Sequence, residues 1–145
     1  IVGSPTAVSR KGATAYYNSA YLIDPMGTIR GRYDKAHLVP FGEYVPLKRY
    51  LPFIGKIVAQ VGDFSAGPKG KTLPWQEHDL GMLICYEIIF PDLAREMARN
   101  GAGLLVNITN DGWFGRTAGP VQHAEMARMR AAECGVPLLR CQGVS

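Results

Sequence analysis

An α/β fold is what this 145-residue sequence predicts, from three observations. After position 80 the chain alternates short apolar runs with helical stretches in the order strand, helix, strand, helix, strand, which is how βαβ units build a sheet. The apolar runs are bounded by proline and glycine, of which there are 10 and 17, as strands bounded by turns should be. Hydrophobic residues make up 47% and charged ones 19%, a balance that suits one domain with a real core and not a disordered chain.

The elements follow in order. Ile1-Val2-Gly3-Ser4 reads as a strand entering the domain. Residues 15–24, AYYNSAYLID, alternate and are rich in aromatics, so they predict a strand. Pro25-Met26-Gly27 is a turn, and residues 28–33 return to complete a hairpin. Residues 36–70 form a long excursion punctuated by proline and glycine, with too many large apolar side chains for plain disorder. Residues 71–75 and 80–85 predict strands. Pro91 opens a helix, PDLAREMARNG, that Asn100-Gly101 stops. Residues 104–108 are a short apolar strand, and 110–119 a glycine-rich loop holding Trp113 and Phe114. Residues 122–133 predict a helix ended by Gly135, and 137–141 begin a further strand. The first residue is not methionine, and Gly143-Val144-Ser145 stops where a strand would continue. The chain is therefore expected to be a piece of a larger protein, one partial domain over residues 1–145.

Several function classes recede on composition. The net charge of +4 is scattered among acidic residues. There is no Lys/Arg tract or ladder of aromatics, so nucleic acid is not an expected partner. No apolar run approaches the roughly 20 residues of a spanning helix, and no signal-peptide pattern opens the chain. The cysteines, Cys85, Cys134 and Cys141, form neither a CxxC nor a zinc spacing, and their odd number precludes a complete disulfide set.

The stretch GMLICYE carries the chemistry. An apolar strand ends in Cys85, and Glu87 follows just before the turn into the helix at Pro91. In α/β sheets reactive residues gather where strands end, and a sulfur there can face the positive end of a helix. The alternative is a core cysteine, since free cysteines are among the most buried residues. Glu87 needs a polar cavity or partner, or else is a solvated turn residue. Lys35 follows the second hairpin strand. It is either a surface charge or a cation able to stabilise a developing oxyanion. Glu43, in PFGEYVP, is flanked by apolar residues and prolines, which favours a salt bridge with Lys35 over simple solvation. His37, His78 and His123 have no ligand spacing and are expected to be surface or structural. A papain-like Cys-His pair has no support in the sequence.

YDKAHLVPFGEYVP, GMLICYEIIFPDLAREMARNGAGLLVNITNDGWFG and GPVQHAEMARMRAAECGVPLLR together resemble the nitrilase-like domain of bacterial apolipoprotein N-acyltransferases. The wider nitrilase superfamily shares a Glu-Lys-Cys triad on an α-β-β-α sandwich, here expected to be incomplete at both ends. Carried over by position, the resemblance implies that Cys85 is the nucleophile and Lys35 stabilises the tetrahedral intermediate. Glu43 would orient the lysine, and Glu87 is a further glutamate the family needs. Tyr86 and Trp113 would edge the substrate pocket. Gly112 stands where alanine is more usual, and residues 140–145 are shorter than the family's corresponding stretch. No glutamate precedes Lys35, so the triad's general base is expected upstream of Ile1, and the chain alone is expected to be inactive.

The implied reaction moves an acyl chain from a phospholipid to the N-terminal diacylglyceryl-cysteine of an apolipoprotein through a Cys85 thioester, with no metal or cofactor. The implied setting is the bacterial inner membrane, with this domain in the periplasm and the enzyme a monomer. There Cys134 and Cys141 would most safely be buried. Leu47, Tyr50, Leu51, Phe53, Ile54, Ile57 and Val58, interleaved with Lys48, Arg49 and Lys56, could rest on a membrane surface or simply pack on the sandwich. Two rivals remain: an amidohydrolase of the same superfamily acting on a small amide, and a non-catalytic α/β binding module with Cys85 in its core.

Overall fold

The computed structural model describes residues 1–10, 12–44, 63–115 and 117–143, with only the backbone of Trp113. Two sheets form the body. The first is an antiparallel meander of β1 (Val2–Arg10), β2 (Ala13–Ile23) and β3 (Ile29–Asp34). Its β1 strand runs well beyond the short segment the sequence predicts. It passes through Pro5, which β1 tolerates because it pairs on one side only, opposite Asn18 of β2. The β2–β3 turn is held by Asp24, whose Oδ1 accepts from the Met26 and Thr28 N–H groups, both at 2.9 Å.

The second sheet has the order β4 (Thr72–Trp75), β5 (His78–Ile84), β6 (Ala102–Asn110), β7 (Leu138–Gly143). β4 is antiparallel to β5, while β5, β6 and β7 run parallel. Helix α1 (Pro91–Arg99) links β5 to β6, and α2 (Gly119–Cys134) links β6 to β7. Residues 80–84 are buried without a break, as expected of a parallel strand covered on both faces. α2 begins earlier than its apolar spacing suggests, because Pro120 sits in its first turn, where a missing N–H costs nothing.

The two sheets share one core, to which Ala20, Leu22 and Tyr33 contribute from one side and Leu73, Leu80 and Leu83 from the other. Their approach is close: a Cβ on Gly31 of β3 would lie 3.1 Å from Leu73 Cδ2 of β4. On the far face, a Cβ on Gly81 would stand 2.6 Å from Leu105 Cδ2 and 3.0 Å from Met97 Cβ of α1. Glycine at 81 is what lets the helix layer settle on the sheet. The described residues thus supply three layers, sheet, sheet and helices, of the expected sandwich.

The described parts of the long excursion return to the first sheet. Ser65 N–H donates to the Tyr16 carbonyl at 2.7 Å, and Gly67 N–H to the Lys35 carbonyl at 2.9 Å. Residues 45–62, on which the membrane-surface expectation rests, lie outside the described residues. The expected burial of the spare cysteines fails in part. Cys134 is half-buried, but Cys141 is exposed, because it sits on an edge strand and borders an open cavity.

Candidate active site

Two strand ends, one from each sheet, meet at the site. β3 closes with Asp34, and Lys35 follows, only 2% exposed. The Lys35 backbone N–H is fixed on the Asn18 carbonyl at 2.8 Å. Its Nζ donates to Glu43 Oε2 at 2.7 Å, the salt bridge the sequence favours. Glu43 is held by two further donors, Asn18 Nδ2 at 2.7 Å and the Val39 N–H at 2.8 Å. Sequence reasoning missed Asn18. Its one available signal is an amide breaking the aromatic pattern of YYNSA in a strand with a buried face.

The second strand end belongs to the cysteine. β5 stops at Ile84, one residue short of the expected boundary, and Cys85 turns into left-handed backbone with φ = 53°. A non-glycine residue there costs about 1–3 kcal/mol and persists only when its surroundings impose it. Here the Cys85 carbonyl oxygen accepts from His123 Nε2 at 3.1 Å and Asn107 Nδ2 at 3.3 Å. Asn107 Nδ2 also donates to the Leu83 carbonyl at 2.9 Å, which leaves its own Oδ1 buried without a partner. An unpaired buried acceptor costs about 1–3 kcal/mol, so this grip is itself expensive. A 3₁₀ turn, Cys85–Ile89, follows, and α1 starts only at Pro91. The expected apposition of sulfur and α1 terminus is therefore not direct: a whole turn separates them.

Glu87 ties the two strand ends together. It is fully buried, and its Oε1 accepts from the Ala36 and His37 N–H groups at 2.8 and 2.9 Å. Oε2 accepts from the Ile84 N–H at 2.8 Å, and the Tyr33 hydroxyl donates to both oxygens at 3.1 and 3.2 Å. One carboxylate thereby joins the backbone after Lys35 to the residue before Cys85. Burial pushes the Glu87 carboxyl above its ordinary value, against the pull of those backbone N–H groups and the Lys35 charge. Burial and the adjacent carboxylate push the Tyr33 hydroxyl far upward, so it stays a donor. The solvated-turn alternative for Glu87 is excluded.

Beneath the turn lies Asp111, fully buried in its side chain. It accepts from Thr109 Oγ1 at 2.7 Å, pairs with His123 Nδ1 at 3.0 Å, and makes a short contact with Arg140. Burial acts to raise the Asp111 carboxyl, but the Thr109 and His123 hydrogen bonds and the His123 and Arg140 charges win and hold it below the usual range. His123 is buried, not on the surface, and its Nε2 meets the Cys85 carbonyl oxygen. His37 stacks on Phe90 with centroids 3.7 Å apart.

These parts open on a cavity of about 830 Å³, walled by Asn18, Lys35, Glu43, Cys85 and Tyr86 with apolar Val39, Ile84, Ile108 and Phe114. Lys35, Glu43, Cys85 and Tyr86 are thus brought together. Glu87 stands behind them and does not line the cavity. Tyr86 is 39% exposed and meets Phe90 edge-on. The side chain of Trp113 lies outside the described residues. Among the described residues, no group of three or more His, Cys, Asp or Glu is placed to hold a metal ion. A half-buried thiol on the wall of the same cavity as a cation suits nucleophilic attack on a carbonyl.

The chain is 51% identical to an apolipoprotein N-acyltransferase of Geobacter metallireducens over 97% of its own length and 27% of that protein's. A second apolipoprotein N-acyltransferase, from Allorhizobium ampelinum, is 49% identical over 88% of this chain and 25% of that protein. The chain thus spans about a quarter of the length of these curated relatives. Among solved structures it resembles Saccharomyces cerevisiae Nit3, a nitrilase-superfamily member, with a TM-score of 0.68 at 23% identity, covering 99% of this chain and 45% of that one. An amidase from Nesterenkonia sp. gives a TM-score of 0.59 at 21% identity, covering 97% and 44%. The carbon-nitrogen hydrolase family model matches residues 1–145, and this chain belongs to that family.

Proposed function

We propose that the full-length protein carrying this chain transfers a fatty acyl chain from a phospholipid to the N-terminal diacylglyceryl-cysteine of an apolipoprotein. The observation that supports this most is the mainly apolar cavity that ends on Cys85 and the Lys35–Glu43 pair. In the first step Cys85 Sγ, deprotonated by a general base, attacks the ester carbonyl. A sulfur–carbon bond forms, the ester carbon–oxygen bond breaks, and the lysophospholipid leaves with the proton. In the second step the free α-amine attacks the thioester, an amide forms and the thiol is restored. Lys35 Nζ and the Tyr86 N–H hold the oxyanion in both steps. Glu43 keeps Lys35 pointed at the cavity, and Tyr86 and Trp113 line the substrate's path.

Glu43 is committed to Lys35, Asn18 and Val39, which leaves the general base to another carboxylate. The resemblance implies a glutamate ahead of Lys35, and none precedes Lys35 in these 145 residues. On that reading the chain alone does not turn over. The parent protein works at the bacterial inner membrane, with this domain on the periplasmic side; among the described residues no helix is long and apolar enough to cross a membrane.

The test is to incubate the full-length protein with phospholipid labelled in its acyl chains and digest it under mild acid. The label should appear on the peptide holding Cys85 and vanish in Cys85→Ala. Ammonia release from small amides without acyl labelling would favour the amidohydrolase instead. Undiminished transfer by Cys85→Ala would overturn both.

A further inference from the structure

We infer that His123, anchored by Asp111, is a positioning residue that sets the oxyanion-binding peptide of the site. The inference rests on Cys85 being the acyl acceptor and goes beyond it by naming what aims the backbone donor. Cys85 C=O and Tyr86 N–H belong to one peptide, and the described chain has no cis bonds. In a trans peptide these two groups point in opposite directions. The carbonyl is turned inward, onto His123 Nε2 at 3.1 Å and Asn107 Nδ2 at 3.3 Å. The Tyr86 N–H is therefore turned outward, on the side where Cys85 and Tyr86 border the cavity. It lies in the first turn of the 3₁₀ segment Cys85–Ile89, where N–H groups have no partner within the helix. It is free for a ligand.

The ring of His123 is held from two sides. Nε2 faces a carbonyl oxygen and Nδ1 faces Asp111 Oδ1 at 3.0 Å. A carbonyl oxygen can only accept, so Nε2 donates to it. Asp111 is itself held by Thr109 and Arg140. A donor on the Cys85 carbonyl withdraws electron density through the shared peptide, which polarises the Tyr86 N–H. The left-handed backbone at Cys85 (φ = 53°) is the conformation this grip imposes.

The experiment compares two reactions of Cys85 in the full-length protein. p-Nitrophenyl butyrate acylates the thiol through an oxyanion and releases nitrophenolate as a burst. Iodoacetamide alkylates the same thiol by displacing iodide, with no oxyanion formed. His123→Ala should slow the burst by about 100-fold, the loss typical of one oxyanion donor, and change the alkylation rate by less than about threefold. His123→Gln, whose amide reaches to where Nε2 stood, should recover most of the burst. His123→Asn, which reaches Asp111 but not the Cys85 carbonyl, should not. The Gln/Asn pair keeps the inference testable should His123→Ala fail to fold.

Equal bursts in all variants, or bursts and alkylation falling together, would overturn the inference. A wild-type burst with the nitrophenyl ester but no thioester from phospholipid would sink the proposed substrate and leave this inference standing. The absence of any wild-type burst would sink both.

Discussion

Glu43, partly buried, and Glu87, fully buried, both act on Lys35 or the backbone beside it, yet they hold different things. Glu43 closes on a charged side chain, Lys35 Nζ at 2.7 Å, at the wall of the cavity. Glu87 closes on backbone, the N–H groups of Ala36, His37 and Ile84, in a place no solvent reaches. The first carboxylate sets where a cation points. The second fixes the separation between two strand ends drawn from different sheets. A site assembled across a sheet interface needs both kinds of restraint, and removing either should fail in a different way.

The largest effect is expected at Glu87. Glu87→Ala leaves those backbone donors and the Tyr33 hydroxyl unpaired in the core, which costs about 3–5 kcal/mol. Thermal unfolding of the domain should fall by about 10 °C. Lys35→Met is the counterpart at the cavity wall. Glu43 keeps Asn18 and the Val39 N–H as partners, so stability should move by less than about 1–2 kcal/mol. Acylation of Cys85 should nevertheless fall by about 10²–10³. Burst kinetics and melting curves on the same two preparations check the crossing. If Glu87→Ala melts like wild type, or Lys35→Met unfolds first, the division of labour is wrong.

What the sequence revealed of this division follows the same line. Cys85, Lys35 and Glu43 stood out as candidates at strand ends or among prolines, and their roles came from the family resemblance. The α/β order and most elements were legible because apolar period and proline or glycine stops act locally. Glu87 was legible as a residue in need of partners, but three of them, Tyr33, Ala36 and His37, lie 50 to 54 positions away, which no local pattern reports. Asn18, Asn107, Asp111 and His123 act on other groups of the site, and nothing in their spacing shows it. The left-handed turn at Cys85 was hidden for a simpler reason: glycine or asparagine announces such backbone, and cysteine does not.

That turn provides a sharper test of how the cysteine side is built. In a strand interior glycine is worse than alanine by about 0.5–1 kcal/mol. At φ = 53° the order should reverse, because the left-handed region costs an alanine about 1–2 kcal/mol. Cys85→Gly should therefore be more stable than Cys85→Ala by about 1 kcal/mol, read by denaturant midpoints at equal slope. The same pair of substitutions at Ile84, still in β5, should give the ordinary sign. Ordinary sign at both positions would mean that the backbone at Cys85 relaxes once the sulfur is gone.

The smallest effect belongs to His37, which links the two regions by stacking on Phe90 while its N–H binds Glu87. Burial lowers its proton affinity first, and the Lys69 and Lys35 charges lower it further, against the opposing Glu43 charge. Its folded value thus lies below the ordinary 6.5, so the folded state binds this proton less readily than the unfolded chain. The stability tied to the neutral ring is complete above pH 6.5 and is lost as pH falls through the lower folded value. His37→Phe keeps a ring on Phe90 and removes the titration. Its melting temperature should fall less than the wild type's as the pH is lowered from 6.5 through that value. Parallel melting curves against pH for the two proteins would show instead that the proton enters the folded site without penalty, and that Lys35 and Lys69 do not act on this ring.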